Sequence, residues 1–99
     1  MNSTDDQDHQ RLLDRHVEDD TRILSTHYQR FNGIPILMEH WVWDGIYGYT
    51  AVLLPEHVAE MSDGEIQTFL KEKVGLDLSG GVTIQRRERH VFVNYGFQS

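Results

Sequence analysis

The sequence predicts an α+β domain: an antiparallel sheet, made of a three-stranded meander plus a C-terminal hairpin, packed by one long helix in the order α-β-β-β-α-β-β. Three observations predict it. Asn32-Gly33 and Asp44-Gly45 are two-residue hairpin turns bracketing one apolar run. Ser62-x-x-Glu65 is a capping-box pattern that opens a stretch with apolar residues at helical spacing. A charged tip, Arg86-Arg-Glu-Arg-His90, separates two further alternating segments.

The elements follow in order. Residues 1–8 are polar and expected to be disordered, leaving 9–99 as one α+β domain. Leu12 or Leu13, then Val17, then Thr21 and Leu24 fall on one thin stripe, which predicts a helix over about 8–20 capped by Asp6 or Asp8. From Arg22 to Phe31 the period changes to two, with the Ile, Thr, Tyr and Phe content of a strand. The second strand runs from Ile34 to Trp43, with Pro35 near its start, where a missing N–H does least harm. The third runs from Ile46 to Leu54 and ends at Pro55. Glu56 to Met61 offers one helical turn. The helix over 62–74 sets Ile66, Phe69, Leu70 and Val74 against Gln67, Lys71 and Glu72, and Gly75 suits its left-handed cap. A loop at 77–81 leads to the last hairpin, Val82–Arg86 and His90–Tyr95.

Composition excludes several classes. There is no cysteine, so disulfides, thiolate metal sites and thiol nucleophiles are ruled out. The net charge is −7, and residues 1–20 hold seven acidic against two basic residues, a balance of −5. Direct binding of nucleic acid, which needs a clustered positive surface, is not expected. The cluster at 86–90 reads more simply as a solvated hairpin tip. No apolar run approaches the roughly 18 residues of a membrane span. The N-terminus is acidic where a signal peptide needs a basic flank, so the expectation is a soluble cytoplasmic protein with no membrane contact.

The strand faces carry most of the functional information. In the second strand Ile34, Ile36, Met38, His40 and Val42 oppose Pro35, Leu37, Glu39, Trp41 and Trp43; in the third, Ile46, Gly48, Thr50, Val52 and Leu54 oppose Tyr47, Tyr49, Ala51 and Leu53. Both faces are apolar, where a sheet with one wet face would alternate. The long helix covers one face. The first helix offers few apolar side chains, so the other is expected to meet a second copy of the chain, a homodimer being the commonest oligomer. Trp41, Trp43, Tyr47 and Tyr49 are read as one ring-bearing face, and with His40 they form the expected binding surface.

No motif names a chemistry. Six histidines invite a metal reading, but His9 and His16 lie two helical turns apart, and neither His-x-His nor His-x-x-x-His occurs. Only tertiary folding could join His27, His40 and His90. His40 is the best acid/base candidate, with Glu39 beside it, although a hydrogen-bonded core histidine explains it more simply. No serine has a nucleophile-elbow context. Asp77-Leu-Ser-Gly-Gly81 precedes a strand, whereas phosphate cradles precede a helix. The α-β-β-β-α order is also that of double-stranded-RNA-binding modules, but the acidic Ser62-Asp-Gly-Glu65 stands where their basic contacts would be. No metal, cofactor or catalytic residue is therefore assigned. The leading expectation is a small non-enzymatic module for self-association or protein binding through the aromatic hairpin. A second is a small-molecule-binding protein, or small enzyme, with an aromatic pocket for an apolar or aromatic ligand. A third is an acidic inhibitor of a nucleic-acid-binding protein, of the kind carried by phages and mobile elements.

Overall fold

A computed structural model describes residues 3–15, 17 and 20–98. Five antiparallel strands form one sheet: β1 Arg22–Phe31, β2 Ile34–Trp43, β3 Ile46–Leu53, β4 Val82–Arg86 and β5 Val91–Gln98, in spatial order β1-β2-β3-β5-β4. Helix α1 spans Ser3–Leu13, and α2 spans Asp63–Phe69. The class and the element order are those the sequence predicts. Both two-residue turns have positive φ at each central position, including the non-glycine residues Asn32 (53°) and Asp44 (50°). That geometry matches the right-handed twist of the strands and closes each hairpin without splaying it.

The single long helix is not found. Seven α-helical residues pass into a wider π turn, Leu70–Val74, in which the Gly75 N–H reaches back to the Leu70 carbonyl at 3.0 Å. The capping box at its start is complete: Ser62 Oγ accepts from the Glu65 N–H, and Glu65 Oε1 accepts from the Ser62 N–H. Arg86 ties this end to β4 by donating to Asp63 and to the Met61 carbonyl. Ile66 and Leu70 sit with Val58 on Ile36, Ala51, Leu53, Val91, Val93 and Tyr95, the main core between the sheet and its α2 face.

The first helix also differs from expectation. It begins at Ser3, inside the segment expected to lack order, and ends at Leu13 rather than near residue 20; His16, Glu18 and Asp19 of the predicted stretch lie outside the described residues. It lies on the opposite face of the sheet, where Leu12 is fully buried with Leu37, Val52 and Leu54. Part of the cover assigned to a second subunit is thus supplied by the chain itself. One leucine contributes roughly 1.5–3 kcal/mol, and polar contacts supplement it. Asp8 pairs with Arg30 at 2.5 Å, His9 stacks on Tyr28 at 4.4 Å, and Arg11 pairs with Glu56. The buried His90 ring meets the Arg11 carbonyl at 2.8 Å. No helix among the described residues is long and apolar enough to cross a membrane.

Candidate functional site

The four aromatic residues expected on one face lie on two. The turn at 44–45 pairs Trp43 with Ile46, which places Trp41 opposite Gly48, His40 opposite Tyr49 and Val42 opposite Tyr47. Directly paired residues share a face. Tyr47 and Tyr49 therefore join His40 on the α2 face, and Trp41 and Trp43 stand on the α1 face. What these five rings share is an end of the sheet, near the Asp44-Gly45 turn.

On the α2 face His40 stacks on Tyr49 at 4.5 Å, and Tyr49 on Tyr95 at 5.5 Å. Tyr95 is buried, and burial first, then the neighbouring Tyr49, pushes its phenol up to about 12. A bulge interrupts the β3–β5 ladder here: Tyr49 pairs with Tyr95 but Tyr47 with Gln98. Gly96 occupies the bulge at φ 66°, where a Cβ would also meet the Tyr49 ring at 2.9 Å. The extra residue turns Phe97 to the α1 face, edge-on to Trp41 at 5.9 Å. The sequence predicts a last strand ending at Tyr95, whereas β5 continues to Gln98, so Phe97 lies outside the sequence reading.

The α1 face is organised in three rows across the sheet. Tyr28, Leu37, Val52, Phe92 and Gln85 form a mainly apolar row, over which Leu12 packs. Ile23, Trp41 and Gly48 form another, extended by the displaced Phe97. Between them runs a polar row through all five strands: Thr26, Glu39, Thr50, Asn94 and Thr83. The middle row floors an open cleft of about 880 Å³, walled by Arg15 and Val17 after α1, by the β4–β5 tip, and by Trp43 and Phe97.

Two buried groups set the chemistry of this floor. Glu39 is 6% exposed and meets the Arg15 guanidinium, itself largely buried. Desolvation raises the Glu39 carboxyl above its ordinary range, and the charge and hydrogen bond of Arg15 act against that rise. The Arg15 Nε–H is buried without a hydrogen-bond partner among the described residues. Beside them, Trp41 Nε1 donates to Thr50 Oγ1 at 2.8 Å, and Thr50 donates to Asn94 Oδ1 at 2.6 Å. The indole is donor-only, which fixes the sense of the chain and leaves the Asn94 amide N–H groups facing out of it. None of Arg15, Glu39, Thr50 or Asn94 stands in a recognisable motif; only the register brings them together.

His27, His40 and His90 do not gather. His27 and His40 lie on the α2 face, His27 beside Gln29 at 3.1 Å, whereas His90 lies under α1. No group of three metal-ligating side chains occurs among the described residues. Glu39 and His40, the acid/base pair considered from sequence, point to opposite faces.

Fold and site together define a five-stranded α+β domain whose two sheet faces are each covered in part by a helix. Comparisons with protein-family models, curated proteins and solved structures give no match to the chain.

Proposed function

We propose that the chain is a non-enzymatic interaction module that self-associates through the aromatic end of its sheet. One observation carries this reading. Five of the exposed large apolar side chains, Leu24, Trp43, Tyr47, Tyr49 and Phe97, fall within the last rungs before the Asp44-Gly45 turn, on both faces of the sheet. Scattered exposed apolar residues need no explanation, but a contiguous aromatic end marks an interface. The same rungs hold little charge, chiefly Arg22 and Asp44, so little ionic desolvation opposes their burial.

A second copy is the occupant that this composition suits, because two such ends bury each other's rings. The rest of the chain is acidic, so two copies repel one another, and added salt should tighten association rather than loosen it. Sedimentation equilibrium in low and high salt tests the reading. A dimer is expected, stronger in salt and reduced to monomer by Trp43→Ser with Tyr47→Ser, with the circular dichroism spectrum unchanged. A wild-type chain that stays monomeric at high concentration, or a dimer indifferent to both changes, would overturn it.

A further inference from the structure

We infer that the cleft on the α1 face is a binding site for a neutral, hydroxyl-rich ligand with an apolar ring face, which is the chemistry of a short oligosaccharide. Self-association and this site both draw on Trp43 and Phe97, so an occupied cleft and the dimer compete for these rings; the site is built on the polar row behind them and does not rest on self-association.

Charge speaks first. The lining includes Asp14, Glu39 and Glu88 against Arg15, Arg87 and Arg89, an even balance. An anion entering here would meet three carboxylates, and a cation three guanidiniums. The polar row also disfavours a purely apolar ligand, which would strip water from Asn94 and Thr83 without replacing its hydrogen bonds.

Hydrogen-bonding capacity narrows the class further. The lining offers the Asn94 amide N–H groups as donors, and the exposed Thr83 and Gln85 as both donors and acceptors. A hydroxyl both donates and accepts, so a row of hydroxyls can satisfy both kinds of site. An extended peptide is served less well. Strand addition needs a free sheet edge, and the cleft lies on a face whose central strands β2, β3 and β5 already pair on both sides.

The flank supplies the remaining part. Trp43 and Phe97 stand 43% exposed at the rim, next to the half-buried Trp41, offering ring surface for the C–H face of a pyranose. The volume is within the roughly 300–1,000 Å³ of small-ligand sites.

Trp41 and Trp43 are the only tryptophans and both line the cleft, so intrinsic fluorescence reports directly on occupancy. The full-length chain would be titrated with cello-, chito-, xylo- and manno-oligosaccharides, with heparin fragments and unstructured peptides as further arms. Saturable change with at least one neutral series is expected. Asn94→Ala should weaken it about tenfold, the loss of one good hydrogen bond. Trp43→Ala should weaken it comparably, and His27→Ala on the opposite face, outside the aromatic end, should leave it within about twofold. Asn94→Ala does not touch the aromatic end, so its dimer should persist and a failure of this proposal is separable from a failure of self-association. No saturable signal with any neutral glycan, response to heparin fragments or peptides alone, or equal weakening by His27→Ala would overturn it.

Discussion

Trp41 lies across Gly48, its paired neighbour on β3, so closely that a Cβ at position 48 would stand 2.5 Å from the indole ring. The contact clamps the ring against backbone and holds its Nε1–H on Thr50. Gly48→Ala must therefore push the indole out of place and break the chain from Trp41 to Asn94. A loss of about 1–3 kcal/mol is expected, the usual cost of overpacking, with a red-shifted tryptophan emission. Urea denaturation followed by fluorescence checks both. An alanine variant as stable as the parent would show that the ring moves freely and that the cleft floor is not preset.

What the sequence makes legible here is local. The two hairpins, the capping box and the Gly75 cap are written in residues a few positions apart, and all of them form. The placement of the rings was open to the same logic but needs one more step. Alternation tells which residues of one strand share a face, whereas the turn sets the phase between strands; counting outward from a two-residue turn at 44–45 separates Trp41 from Tyr49. Phe97 yields to no such count, because the bulge at Gly96 changes the phase within β5. Arg15 with Glu39, and Thr50 with Asn94, are contacts between distant segments, and no local pattern announces them.

Helix α1 is the element most easily separated from the rest. An isolated helix of 11 residues is marginal in water, and among the described side chains of α1 only Leu12 joins the core behind it. Leu12→Asp should release the helix while the sheet and α2, which share a separate core, stay folded. Hydrogen exchange is expected to show protection lost over 3–13 and retained in β3 and β5. Uniform loss across the sheet would instead make α1 part of one cooperative unit.

Tyr95 gives a pH signature. Its phenol is pushed up to about 12, against about 10 for tyrosine in an unfolded chain. The fold favours the neutral form, so this contribution to stability is fully present below pH ~10 and is lost as pH rises through ~12. Ultraviolet titration of the native protein should show Tyr95 ionising in a late step, coincident with alkaline unfolding. In Tyr95→Phe that late step should vanish. Its persistence would assign the late step to another tyrosine.

Arg15 and Glu39 form the buried pair whose removal is most informative. With Arg15→Met, the influence holding the Glu39 carboxyl down is gone and desolvation alone remains, so its folded pKa climbs further above the unfolded value. The deficit this creates is absent below that unfolded value, about 4.3, and grows as pH rises toward the folded one. A loss of roughly 3 kcal/mol at pH 7, shrinking on acidification to pH 4, is expected from stranding one member of a buried pair. Adding Glu39→Leu to Arg15→Met should restore most of it, because an apolar pair of similar volume leaves no charge behind. Denaturation of both variants at the two pH values measures the cycle. If Arg15→Met were equally unstable at both, the guanidinium would be acting through its packing, and the pairing with Glu39 would contribute little.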